Sequence, residues 1–142
     1  MISTSRLLSM IRSAKTFEQA VAYHETAPDP AFTTLLYQLM RDRNLSPKDM
    51  ISRTGLERSY FYHVLSGMKK PGRNIVLRIG LALRTNLSEM NHLLQLSNAS
   101  PLYAKIRRDA AIIYAIQHRM SMMETNELLV DAGEEPVYLS HE

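Results

Sequence analysis

Helix starts along the chain are marked repeatedly by a side-chain oxygen followed three positions later by an acid or an amide: Thr16 with Gln19, Ser46 with Asp49, Asn86 with Glu89, and Ser121 with Glu124. Each spacing suits a capping box, in which the first side chain takes a free N–H of the opening helical turn and the third residue reaches back to the cap. Pro47 and Pro101 stand where a first helical residue would, a place where a missing N–H costs nothing. Apolar residues recur at helical period, and no alternating β-branched run is long enough for a strand. The predicted fold class is all-α, with helices near 3–15, 17–25, 31–44, 47–54, 58–66, 74–85, 88–97, 108–120 and 122–132.

The second half of the chain repeats itself. Residues 73–103 align without gaps on 108–138, an offset of 35, and the alignment matches Arg73, Arg84, Glu89, Asn91, Leu93, Leu94, Pro101 and Tyr103 with Arg108, Arg119, Glu124, Asn126, Leu128, Leu129, Pro136 and Tyr138. A helix, capped turn and helix with one apolar stripe cannot bury that stripe alone, so a second copy is expected to stack on the first. With "APDP" at 27–30 as a linker, three regions are expected: an N-terminal helical arm (1–30), a central domain (31–103) and a C-terminal helical extension made by the second repeat (104–142).

Charge is segregated along these regions. Residues 1–40 are neutral overall, residues 41–84 carry ten basic and three acidic side chains for a net of +7, and residues 85–142 carry four and eight for a net of −4. A cationic middle third points to a polyanion, because Lys and Arg that neutralise phosphates release counterions and supply sequence-independent affinity. No apolar run approaches the roughly 20 residues that span a bilayer. The first fifteen residues carry Arg6, Arg12 and Lys15 at amphipathic helical spacing, which is not the pattern of a signal peptide. The absence of cysteine removes disulfide and thiolate chemistry and suits a reducing cytoplasm, the expected location.

Residues 46–67, "SPKDMISRTGLERSYFYHVLSG", read as two short helices meeting at a turn. Met50 and Ile51 give the first an inward side, Gly55 permits the sharp turn, Leu56 plugs it, and Phe61 and Val64 return the second helix to the same core. With its flanks, "FTTLLYQLMRDRNLS" before and "MKKPGR" and "NIVLRIGLALRTNLSEM" after, the segment resembles the lambda-repressor-like (XRE-type) helix-turn-helix family over about residues 31–97. The resemblance implies a lambda-repressor-like helix-turn-helix bundle whose second helix enters the major groove of double-stranded DNA. The chain departs from the family pattern at Pro47, often a glutamine there, at Glu57, which carries negative charge at the cap of the second helix, and at Leu65, often a glutamate.

Carried over by position, the resemblance places Arg58, Ser59 and His63 at base edges. A 3.6 period with Phe61 and Val64 inward also turns 58, 59, 62 and 63 outward, which adds Tyr62. Arginine can fork onto guanine and serine can donate or accept. Tyr60 and Tyr62 have two readings, a contact to DNA or packing against the neighbouring helix. Gly67, Lys69, Lys70 and Arg73 match the family's stretch along the DNA backbone, so the expected phosphate contacts are Tyr60, Ser66, Lys69, Lys70 and Arg73, with Asn74 capping the next helix.

The five histidines, His24, His63, His92, His118 and His141, lack metal-ligand spacing, and no phosphate loop, nucleophile elbow or carboxylate pair stands out, so neither an enzyme nor a cofactor is expected. The expectation is a sequence-specific transcriptional regulator binding DNA as a homodimer. The alternative is a protein adaptor gripping a partner through the same helices or the acidic C-terminal repeat.

Overall fold

The structure, a computed structural model, describes residues 4–17 and 30–138. Residues 18–25 of the expected second helix, Gln19 of the first expected cap, linker residues 27–29, His24 and His141 lie outside them. The described residues form eight α-helices and no strand: α1 (Thr4–Ser13), α2 (Pro30–Asp42), α3 (Pro47–Thr54), α4 (Arg58–Leu65), α5 (Arg73–Leu83), α6 (Leu87–Leu96), α7 (Arg107–Gln117) and α8 (Met122–Asp131). Two compact units are present, Met1–Ala31 and Phe32–Glu142, so residues 104–138 pack into the same unit as 32–103.

Three of the predicted caps form in full. Ser46, Asn86 and Ser121 each accept from the backbone N–H three residues on, while Asp49, Glu89 and Glu124 accept from the cap residue's own N–H. Two neighbouring expectations fail. The N-cap of α5 is Gly72 and not Asn74, whose side-chain oxygen instead accepts from Arg108 Nη2 at 2.9 Å. Pro101 opens no helix; it lies in the coil before α7, and its carbonyl accepts from Arg73.

Helices α2 to α8 bury one continuous apolar core, centred on Leu36, Met50, Phe61, Leu77, Leu93 and Ile112. Helix α5 lies at its middle, packed against both α3 and α6, and every residue from Val76 to Leu83 is buried.

The repeat is real at the level of single hydrogen bonds. Arg73 Nε and Nη2 donate to the carbonyls of Ser100 and Pro101, and thirty-five residues on Arg108 Nε and Nη2 donate to those of Glu135 and Pro136. Asn91 Oδ1 accepts from Leu102 N at 2.8 Å, and Asn126 Oδ1 accepts from Val137 N at 2.9 Å. The identities therefore mark one local device used twice: an arginine at the head of the first helix and an asparagine in the second pin the strap that follows them.

The two copies do not stack head to tail. The first helix of each touches the second helix of the other, α5 with α8 and α6 with α7. Arg73 of the first copy pairs with Asp109 of the second, while Arg108 of the second, equivalent to Arg73, reaches Asn74 of the first, equivalent to Asp109. Arg84 Nη1 donates to the carbonyl of its own equivalent, Arg119, at 2.7 Å. Such exchanged contacts are those of an isologous pair, here within one chain.

The caps make a pH dependence. Backbone N–H groups hold the carboxyls of Asp49, Glu57 and Glu124 below their ordinary values of 3.8, 4.5 and 4.5. Each binds its proton less readily folded than unfolded, so its contribution is complete above those ordinary values and is lost as pH falls through the lower folded ones. Melting temperature is expected to hold from neutrality to about pH 5 and to fall below about 4, with a shallower fall in Glu57→Gln. An identical acid limb in that variant would remove Glu57 as a contributor.

Candidate nucleic-acid interface

Helix α4 is short, and its position is set by what it buries. Phe61, Val64 and Leu65 are at most 2% exposed, and Gly67 at φ +84 turns the chain out of the helix. Glu57 caps its first turn, accepting from Ser59 N at 3.1 Å and Tyr60 N at 2.9 Å. That carboxylate satisfies the N–H groups that an anion would otherwise meet at this helix end.

The outward face carries Arg58, Ser59 and Tyr62, all exposed, with His63 half-buried beside them. The Arg58 guanidinium lies 5.6 Å from the centre of the Tyr62 ring, a cation–π pair that orients both side chains. Of the two readings open for the tyrosines, Tyr60 packs against the core, where burial raises its hydroxyl pKa, and Tyr62 faces out. After the helix, Ser66 Oγ donates to the His63 carbonyl and accepts from Met68 N, holding a turn that leaves Met68, Lys69 and Lys70 exposed.

Several cations of the basic segment are used internally. Arg73, expected on phosphate, is turned inward: both Nη atoms bond the Asp109 carboxylate, at 3.1 and 2.9 Å, and Nε and Nη2 bond two carbonyls. Arg43 pairs with Glu89 at 2.7 Å, and Arg53 donates to the Ala82 carbonyl. Arg78, 3% exposed, gives Nε and Nη2 to the carbonyl of Thr54. Arg41, Lys48, Arg53, Arg58, Lys69, Lys70 and Arg84 are exposed, Arg53 and Arg84 with one N–H each given to a carbonyl.

The turn between α3 and α4 is braced from far along the chain. Gly55 has φ +69, and a Cβ there would come within 2.8 Å of Tyr138 Cε2. Arg78 lies over the same ring at 4.5 Å from its centre, so the ring that approaches Gly55 is itself held by a guanidinium. The turn glycine was visible in the sequence; Tyr138 and Arg78 as its supports were not, because nothing local connects positions 55, 78 and 138.

Among the described residues no group of three His, Asp or Glu side chains is placed to hold a metal ion, and no helix is long and apolar enough to cross a membrane. No family model, curated protein or solved structure matches the chain.

Proposed function

We propose that the chain is a sequence-specific DNA-binding transcriptional regulator of the lambda-repressor-like helix-turn-helix type, with α3 and α4 as the motif and α4 in the major groove. The observation that carries this reading is the sorting of side chains along one short stretch. Residues Arg58, Ser59 and Tyr62 stand out from a helix anchored by Phe61 and Val64, and Lys69 and Lys70 stand out from the loop that follows it. Bases need the first set and phosphates the second. In this proposal Arg58, Ser59, Tyr62 and His63 address base edges, and Ser66, Lys69 and Lys70 the backbone. Arg73 and Tyr60 are left out, the one held by Asp109 and the other packed on the core. Two copies are proposed to act together in the cytoplasm on half-sites about one helical turn apart, without catalysis or cofactor.

The two sets should fail differently. Arg58→Ala is expected to cost about 1–3 kcal/mol on a selected site and little on scrambled DNA, flattening specificity. Replacing Lys69 and Lys70 together is expected to weaken all sequences alike and to lower the slope of log affinity against log salt by about 0.9 for each phosphate no longer neutralised. The experiment selects sites from random duplex DNA with purified protein at physiological salt, then titrates salt for each variant. Selected half-sites one turn apart, together with a dimer mass by light scattering, support paired binding. The same sequence-blind weakening in both variants would end direct readout by α4.

The adaptor reading has its own support. Arg43, Arg53, Arg73 and Arg78 serve the fold, and Met68 beside the lysines is 73% exposed, which suits a protein partner better than phosphate. Failure to enrich any DNA sequence would favour it.

A further inference from the structure

Among the described residues four that are not glycine adopt left-handed backbone: Asn44 (φ 54), Arg84 (φ 60), Asn98 (φ 62) and Arg119 (φ 55). Each closes the end of a helix, its own N–H and the next one bonding back to carbonyls of the last turn; asparagine tolerates this region through local hydrogen bonding of its side chain, an advantage arginine lacks. The two arginines are also equivalent to each other, thirty-five residues apart in the two repeats. Both line a cleft of about 440 Å³ at the seam where the repeats meet. The turn itself is served by asparagine at 44 and 98, so an arginine kept there twice, each time on the same cavity, points to a use for the side chains.

The lining supports that. Its charged members are Arg43, Arg84, Arg119 and Glu89, a net of +2, and Leu81 and the equivalent Ile116 give it apolar wall. Glu89 is already engaged, by Arg43 and by the Asn86 N–H, and Glu124, close enough to Arg84 to feel its charge, is held in the Ser121 cap. Arg84 spends one N–H on the Arg119 carbonyl, and the Arg119 guanidinium has no hydrogen-bond or ion-pair partner among the described residues. Guanidinium forks match phosphate and carboxylate oxygens, and ligand cavities of roughly 300–1,000 Å³ are ordinary.

We propose that this cleft binds a small organic dianion, a phosphate or a pair of carboxylates carried on an apolar body, with Arg84 and Arg119 gripping the charge from the two repeats. The proposal is independent of whether α4 reads DNA.

The test uses the full chain and isothermal titration with phenyl phosphate and with phthalate, and benzyl alcohol as the neutral control. At least one dianion is expected to saturate one site per chain, with no binding of benzyl alcohol. Arg119→Asn, which places at 119 the residue the chain itself uses at 44 and 98, is expected to weaken that binding about tenfold or more. The same variant without ligand should melt about 2–4 °C higher, since it relieves the backbone. Arg119→Lys should fall between wild type and Arg119→Asn in affinity. Absence of saturation by either dianion up to about 10 mM would overturn the proposal. So would equal binding of benzyl alcohol, undiminished binding by Arg119→Asn, or a lower melting temperature of that variant, which would make Arg119 part of the scaffold.

Discussion

A chain carrying alanine at position 73 is expected to lose about 3–5 kcal/mol of folding stability, a large share of the roughly 5–15 kcal/mol a domain has. The cause is the group left behind. Asp109 is 2% exposed, and Arg73 supplies two of the bonds to its carboxylate; the remaining donor is the Tyr103 N–H at 3.0 Å. Removing the guanidinium strands a buried charge and takes a donor from the carbonyls of Ser100 and Pro101. Denaturant unfolding measures the loss. Arg73→Lys should recover only part of it, because an ammonium cannot fork onto a carboxylate and reach two carbonyls as well. Arg73→Met with Asp109→Leu should be less harmful than Arg73→Ala alone, since replacing both ions avoids the uncompensated charge. An Arg73→Ala protein of unchanged stability but weakened DNA binding would return this arginine to the phosphate backbone and contradict the internal assignment.

Phe61→Ala is expected to be as damaging, at about 3–5 kcal/mol, for an apolar reason. The ring is wholly buried at the middle of α4, between Tyr60 packed on the core and Val64 at 1% exposure. An eight-residue helix has little stability of its own, and most of what keeps it formed is the packing of this face. Emptying it therefore removes the platform that presents Arg58 and Tyr62, and any drop in DNA binding by this variant reports unfolding. Phe61→Leu, which keeps most of the volume, should cost about 1.5 kcal/mol or less and spare binding. A destabilisation under about 1 kcal/mol in Phe61→Ala would show that the helix is held by something other than its buried face.

These variants also mark where reading the sequence succeeds and where it stops. Ser46, Asn86 and Ser121 were legible as caps because each bond closes within three residues, a span that local spacing alone can reveal. The repeat was legible as spacing, and the matched Arg73 and Arg108, Asn91 and Asn126, turn out to be the residues that pin each strap. The way the copies meet was not, since stacking and reciprocal exchange leave the same identities. Arg73 shows the same limit from another side. It sits where a basic loop would offer it to phosphate, and its commitment to Asp109 depends on a partner thirty-six residues away. Asn74 misled for a related reason: Gly72 forms the cap without a side chain, which frees the asparagine for Arg108.

The strap of residues 97–106 joins the two repeats, so their association never depends on how much protein is present. A short tether gives the partner an effective concentration on the order of millimolar. An interface between separate chains must defeat dilution with a broad, dry, apolar contact; a tethered one needs far less. Beside the apolar core the repeats share, the seam also carries an arginine reaching across to a carbonyl, as Arg84 does to Arg119, and part of it stays open as a cleft. Covalent linkage lets the shared leucines and isoleucines of the core hold the two repeats together without closing the whole seam, and the part they do not reach is left as room.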